Sequence, residues 1–157
     1  MVSMSASSSP GHPWRVRCSG TVRLPPGTAA PLALFTPEGE RAWAAGWDPR
    51  YPAPADDDSE PGTVFQTSHG PHPGTWVVTG REPGRSVRYA RVVTGQDAGT
   101  VTVTLASDDQ VTVSYDLTAL TAAGAARLAE FARGYAEFLA HWEQAIALAE
   151  GGRHSLD

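Results

Sequence analysis

The first patterned segment of the sequence alternates between apolar and polar positions. From residue 14 to residue 24, every second residue is apolar or small, and arginine, serine and threonine occupy the positions between them. A period of two places these sets on opposite faces of a β-strand. The segment therefore predicts a half-buried strand with a cationic outer face, which Pro25 and Pro26 end.

Five further strand-like segments follow, at residues 63–69, 75–81, 86–94, 100–106 and 111–120. Short turns rich in glycine, proline and aspartate separate them, so consecutive strands should pair antiparallel. In the last two segments, valine, leucine and tyrosine alternate with threonine and serine, which predicts one buried face and one solvated face. With the first strand, these segments predict a curved antiparallel sheet of six to seven strands.

Helical signals lie on both sides of these strands. Residues 28–43 predict two short helices, with Thr28 as the cap of the first and Thr36-Pro37 starting the second. Residues 122–150 predict one long helix that Thr121 caps and Gly151 ends, about 40 Å from end to end at 1.5 Å per residue. Its apolar stripe repeats at steps of three and four and contains Leu128, Phe131, Tyr135, Phe138, Leu139, Trp142 and Ile146.

A chain of 157 residues fits one domain with a single core. We expect residues 1–13 to form a disordered N-terminal tail, residues 14–150 the domain, and residues 151–157 a C-terminal tail. Residues 50–62 are rich in proline and aspartate and predict a mobile acidic loop. No signal peptide or membrane-spanning stretch is recognisable, which makes the cytoplasm the expected location.

Composition removes several classes of function. The net charge is −5 and lysine is absent, which argues against nucleic acid as a partner and excludes Schiff-base chemistry and a phosphate-loop lysine. A single cysteine, Cys18, excludes an internal disulfide, and we expect it to be buried and inert. His69, His72 and His141 lack metal-ligand spacing, so we expect no metal and no cofactor.

An apolar sheet face needs a cover, and the long C-terminal helix is the only large apolar helix in the sequence. A straight helix laid across a curved sheet leaves space between them. The two short helices are placed to close one end of that space. The sequence therefore predicts an α+β helix-grip fold, with the sheet wrapped around the C-terminal helix and an apolar cavity inside.

Residues 34–49, 75–79 and 89–92 resemble segments of the START-related (SRPBCC) helix-grip superfamily, as does the order of elements over residues 14–150. That superfamily includes polyketide cyclases and dehydrases, lipid-transfer domains, plant carriers of hydrophobic ligands and homologues of a chaperone-ATPase activator. The resemblance implies the fold and points to an uncharacterised bacterial member. It leaves the activity open, because one fold hosts many pockets.

The predicted inward positions supply a candidate ligand-binding set: Trp43, Trp47, Trp76, Tyr89, Arg91, Val103, Tyr115, Phe131, Tyr135, Phe138 and Trp142. An inward Arg91 needs an anion, which could be Asp48, Asp116 or a ligand oxygen. Tyr135, Arg91, Asp48 and His69 are the candidate catalytic groups. No covalent nucleophile is recognisable.

The leading functional prediction is the binding of a small hydrophobic molecule, aromatic or acyl, in the cavity. The first alternative is a cyclase- or dehydrase-like enzyme that uses polar groups of the same pocket. The second is a protein-interaction module of the chaperone-activator type, for which Arg15, Arg17 and Arg23 would form the docking face. The sequence is compatible with a homodimer and does not decide the oligomeric state. We expect no nucleic-acid or membrane partner.

Overall fold

The computed structural model describes residues 7–9 and 14–155, with side chains from residue 14 to residue 152. These residues form one seven-stranded antiparallel sheet in the order β1-β2-β7-β6-β5-β4-β3. The strands are β1 (Ser7–Ser9), β2 (Arg15–Arg23), β3 (Val64–His69), β4 (His72–Glu82), β5 (Ser86–Val93), β6 (Asp97–Ser107) and β7 (Gln110–Ala119). The helices are a 3-10 helix (Pro31–Phe35), α1 (Pro37–Glu40), α2 (Ala122–Arg133) and α3 (Tyr135–Ser155). The α+β helix-grip fold predicted from the sequence is confirmed.

The alternation of residues sorts the sheet into two faces. Cys18 lies opposite Tyr115, and Val22 lies opposite Val111, so the apolar positions of β2 and β7 share the inner face. On the next strand Val101 also lies opposite Tyr115 and extends that face across β6. All of these side chains are buried. The outer face carries hydroxyl and charged groups, so the sheet has one apolar side that the helices can cover.

The C-terminal helices pack on one half of that apolar face. Both α2 and α3 contact β2, and α2 also contacts β7. The buried apolar side chains of these two helices are Leu128, Tyr135, Leu139 and Ile146. The inner faces of β3 to β6 therefore lie beyond the main helix contact, and other elements must cover them.

The predicted single helix is interrupted at Gly134. Gly134 has φ −96° and ψ 11°, outside regular helix geometry, while its N–H still donates to the Glu130 carbonyl and its own carbonyl accepts from Phe138. Glycine favours the helix less than any residue except proline. The apolar stripe continues through the break, which is why periodicity alone predicted one helix.

Both chain ends depart from the predicted tails. Ser7–Ser9 pairs with residues 17–19 of β2, so the disordered-tail prediction is wrong for these three residues, and the other residues of 1–13 lie outside the described part. At the other end α3 continues past Gly151 to Ser155, and residues 156–157 lie outside the description. Glycine can continue a helix when its backbone stays right-handed, and here nothing crowds Gly151.

The segment after β2 forms the two predicted short helices with different bounds. Thr36 caps α1 by accepting a hydrogen bond from the Gly39 N–H at 3.1 Å, as predicted. The first helix is a 3-10 turn that begins at Pro31, and Thr28 does not cap it, because its hydroxyl donates to the Pro25 carbonyl instead. Helix α1 ends at Glu40 and only turns continue to residue 43. These bounds place Glu40 at the end of a very short helix.

The acidic loop at residues 50–62 is anchored at several points, in contrast to the predicted mobile loop. Asp57 forms an ion pair with Arg81 at 2.7 Å, and Asp58 accepts a hydrogen bond from the Glu38 N–H. The Tyr51 hydroxyl also donates to Glu38. These contacts hold the loop against α1 and β4.

Candidate functional site

A cavity of about 440 Å³ lies between the inner face of β3 to β7 and the C-terminal helices. It exists because α2 and α3 approach the sheet mainly at β2 and β7. Helix α1 and the turn after it close one side, through Glu40 and residues 44–47. The exposed lining residues, which mark the mouth, are Ala45, Gly46, Ser68 and Arg127.

Aromatic rings form two opposing walls of this cavity. On the helix side, Phe138 contacts both Phe131 and Trp142, with ring centroids 5.3 and 4.9 Å apart. These three side chains are half-buried, while the other side of the same stripe packs into the core. On the sheet side, Phe65 stacks on Trp76 at 5.5 Å with an interplanar angle of 11°. The walls therefore suit a flat apolar molecule.

A buried ion pair lies in the sheet wall. Arg91 on β5 and Asp97 on β6 share the inner face, and Arg91 Nη2 donates to Asp97 Oδ1 at 2.7 Å. Their side chains are only 12 % and 10 % exposed. The guanidinium also lies 5.5 Å from the ring centroid of Trp76 and 5.9 Å from that of Tyr115. Asp97 is therefore the anion that the inward-facing Arg91 requires. The prediction that Asp48 or Asp116 pairs with Arg91 is wrong.

The two rejected partners are engaged elsewhere. Asp48 is exposed and pairs with Arg41 at 2.9 Å, and Asp116 pairs with Arg15 at 2.7 Å on the outer face. The sequence pattern predicts a turn between the strands at 86–94 and 100–106, and Asp97 lies within that turn. In the structure β6 begins at Asp97. Its strand position places it on the same face as Val101 and Val103.

A hydrogen-bonded chain reaches from the wall toward the mouth. The indole N–H of Trp76 donates to Thr67 Oγ1 at 2.9 Å, and the same oxygen lies 2.8 Å from His69 Nε2. The Thr67 hydroxyl can then donate its proton to His69 Nε2. This arrangement requires a neutral imidazole that carries its own proton on Nδ1. Burial and the nearby Arg91 guanidinium lower the pKa of His69. Gly74 makes room for this ring, because a Cβ there would lie 2.6 Å from it.

Two further polar groups, Glu40 and Tyr115, reach the cavity. The Glu40 carboxyl has no ion pair or hydrogen bond to any described residue, and burial raises its pKa well above the ordinary value. Burial also raises the pKa of the Tyr115 phenol; the Arg91 guanidinium acts in the opposite direction and Glu40 adds to the rise. Both side chains line the cavity together with Arg91.

Most of the candidate ligand-binding residues meet at this cavity. The lining contains Trp47, Trp76, Tyr89, Arg91, Val103, Tyr115, Phe131, Phe138 and Trp142, together with the catalytic candidate His69. Three predicted site residues lie elsewhere. Trp43 donates its indole N–H to the Leu34 carbonyl, Tyr135 donates its hydroxyl to the Val113 carbonyl, and Asp48 is on the surface.

The sequence interpretation missed several lining residues: Phe35, Glu40, Phe65, Gln96 and Asp97. Phe65 and Asp97 carried a usable signal, because strand alternation places both on the inner face. Glu40 carried none, since an acidic residue in the first turn of a helix is ordinarily explained by the helix dipole. Gln96 is 6 % exposed and donates to the Gly95 carbonyl, while its Oε1 has no partner.

The described residues contain neither a metal-binding cluster nor a membrane-spanning helix. Within them no group of three or more histidine, cysteine, aspartate or glutamate side chains could hold a metal ion. Over the same part of the chain, none of the helices combines the length and apolar character needed to cross a bilayer.

This chain has a helix-grip fold, with a cavity between sheet and helices that aromatic rings line in part. Solved structures of the same fold include a protein from Rhodobacter sphaeroides, at 15% identity and a TM-score of 0.58, which covers 93% of this chain and 99% of that one. CalU16 from Micromonospora echinospora matches at 14% identity and a TM-score of 0.56, over 92% of this chain and 85% of that one. DynU16, a protein of the dynemicin biosynthetic locus, matches at 17% identity and a TM-score of 0.54, over 83% of this chain and 46% of that one.

These likenesses support the fold alone, because all identities are low. No family model matches the sequence, and no curated protein does.

Proposed function

We propose that this protein binds a small hydrophobic molecule, aromatic or acyl, inside the cavity. The observation that carries the proposal is a partly open space of about 440 Å³ that has aromatic rings on both its sheet side and its helix side. Small-molecule sites in proteins have volumes of roughly 300–1,000 Å³ and combine apolar walls with a few polar groups. Here Arg91, Asp97, Glu40 and Tyr115 are those polar groups.

The position of the helices supports an open pocket rather than an incompletely packed core. Leu128, Leu139 and Ile146 of the same helices are 4 % exposed or less, so packing is complete where α2 and α3 meet β2 and β7. The unfilled volume lies mainly over the inner face of β3 to β6 and reaches Tyr115 and Leu117 of β7. A ligand there would remove apolar surface from water at about 25 cal/mol per Å².

A cavity-filling variant tests this proposal. Val103 points into the cavity from β6, and its neighbour Thr102 points to the outer face. Val103→Trp should abolish binding of a naphthalene-sized probe in equilibrium dialysis, whereas Thr102→Trp should leave it unchanged. Circular dichroism and urea unfolding establish that both variants are folded. Equal binding by both variants would contradict the proposal.

A ligand that co-purifies gives an independent test. Native mass spectrometry of gently purified wild-type protein should show an added mass that Val103→Trp lacks. The same adduct on both proteins would place the bound molecule outside the cavity and count against the proposal.

The second candidate function is a cyclase- or dehydrase-like enzyme. The observation that favours it is the Glu40 carboxyl, which lines the cavity, has no hydrogen bond or ion pair to a described residue, and has a pKa that burial raises. A carboxyl in such surroundings is a candidate general acid or base. Dehydration of 4-hydroxy-4-phenylbutan-2-one to the conjugated ketone, followed by ultraviolet absorbance, should be faster with wild type than with Glu40→Gln. Equal rates in both proteins and in buffer would remove this candidate.

A further inference from the structure

We propose that the cavity selects an uncharged ligand that carries a carbonyl oxygen, and that Tyr115, Arg91 and Glu40 donate hydrogen bonds to this oxygen. The inference rests on the proposed ligand-binding function and specifies its ligand class. Three observations support it: a free phenol, a partly engaged guanidinium and an unpaired carboxyl in one pocket.

The Tyr115 hydroxyl differs from those of the other three tyrosines, all of which the structure describes. Tyr51, Tyr89 and Tyr135 donate to Glu38, to the Phe35 carbonyl and to the Val113 carbonyl. Tyr115 makes no such bond, although the residue is only 6 % exposed. Its hydroxyl oxygen nevertheless keeps some accessible surface, because the fully enclosed polar atoms that lack a partner do not include it. The remaining exposure of this phenol is therefore toward the cavity.

Arg91 uses only one side of its guanidinium. Nη2 donates to Asp97, and Nε is fully enclosed, so neither is available to a ligand. Nη1 has no hydrogen bond to a described residue and is not among the fully enclosed polar atoms. The planar group lies between the rings of Trp76 and Tyr115, which fixes its orientation. Because Arg91 lines the cavity, a ligand oxygen there could accept a hydrogen bond from Nη1.

Glu40 reaches the cavity from α1. It is one of the residues that line this space, together with Tyr115 and Tyr89. Because burial favours the protonated carboxyl, the group can donate a hydrogen bond. The cavity thus offers donors from β5, β7 and α1.

Three donors fit an oxygen that has lone pairs and no proton of its own. A ketone or aldehyde carbonyl meets that condition. A carboxylate fits less well, because Asp97 already balances the charge of Arg91 and because an ion loses its hydration among aromatic rings. A purely hydrocarbon ligand would leave the donors unpaired.

The experiment compares three probes of nearly equal shape by equilibrium dialysis: 2-acetylnaphthalene, 2-ethylnaphthalene and 2-naphthoate. The ethyl compound is the more hydrophobic of the two neutral probes, so hydrophobic burial alone would favour it. We expect wild-type protein to bind the acetyl compound about threefold to tenfold more tightly, which is the net contribution of one hydrogen bond. We expect 2-naphthoate to bind most weakly.

Matched variants assign the selectivity to these residues. Tyr115→Phe should lower affinity for 2-acetylnaphthalene by the same about threefold to tenfold and leave 2-ethylnaphthalene unchanged. Tyr135→Phe removes a hydroxyl outside the cavity and should alter neither probe. Glu40→Met should lower the affinity for 2-acetylnaphthalene. Glu40→Gln keeps a hydrogen-bond donor and should retain most of that affinity.

The outcomes separate the two proposals. Tight binding of all probes without preference, or preference for 2-naphthoate, would overturn the carbonyl inference while leaving ligand binding in place. An unchanged preference in Tyr115→Phe would overturn it as well. Failure of wild type to bind any of the three probes would count against both proposals.

Discussion

Removing one member of the Arg91–Asp97 pair should destabilise the protein strongly. The two side chains are 2.7 Å apart and about 90 % buried, so either group alone would leave a charge without its partner in an apolar wall. Water in the cavity can reach part of the guanidinium, which lowers the penalty. We therefore expect Asp97→Leu to reduce the free energy of unfolding by about 3 kcal/mol, at the lower end of the range for breaking a buried pair.

The double variant Arg91→Met/Asp97→Leu separates the pair from the packing. Both charges are then gone, and replacing a buried pair with apolar residues of similar volume is often neutral or stabilising. We expect the double variant to regain most of the stability that either single variant loses. Urea unfolding of all four proteins measures the coupling.

An exposed pair provides the control. Asp116 is 37 % exposed and Arg15 is 44 % exposed, although their distance of 2.7 Å is the same. Asp116→Asn should reduce the free energy of unfolding by no more than about 1 kcal/mol. If Asp97→Leu cost no more than this control, or if the single effects simply added in the double variant, the buried-pair reasoning would be refuted.

Three further predictions concern packing and protonation. Tyr135→Phe leaves a buried carbonyl without its donor and should lower the free energy of unfolding by about 1–2 kcal/mol in urea. Gly99→Ala should lower the free energy of unfolding by about 3 kcal/mol, because the new Cβ would lie 1.9 Å from the Asp116 carbonyl oxygen. Gly151→Ala is the control: a Cβ there has no atom within contact distance, so this variant should be neutral or stabilising in thermal melts. Burial raises the pKa of Glu40 in the folded state. The protonated carboxyl therefore contributes fully to the stability of the protein below about pH 4, and this contribution is lost as the pH rises through the pKa of the folded state. Glu40→Gln should therefore gain stability relative to wild type from pH 4 upward, and a difference that is flat with pH would contradict this assignment.

The sheet and its covered face could be predicted from the sequence because strand alternation is a local signal. Once Val101 and Val103 are assigned inward, Asp97 follows by the period of two, and only the assignment of this residue to a turn hid the ion pair. The turn assignment came from Gly95, which does adopt a left-handed φ of 75°. The strand begins two residues later than that glycine.

The cavity lining was less accessible to sequence reasoning, because it depends on where the helices cross the sheet. Phe138 and Tyr135 belong to one apolar stripe, yet Phe138 lines the cavity and Tyr135 packs into the core. The stripe contains no information about which side meets β2. Glu40 is harder still, since α1 is four residues long and its orientation depends on contacts with the acidic loop.

The central claim is that the space between the sheet and the C-terminal helices holds a ligand. A crystal structure grown with 6-bromo-2-acetylnaphthalene tests it most directly, because anomalous scattering locates the bromine without reference to the protein. We expect one bromine between Phe138 and Trp76, with the ketone oxygen within hydrogen-bonding distance of the Tyr115 hydroxyl. Bromine found only on the surface, or an interior filled by side chains, would contradict it.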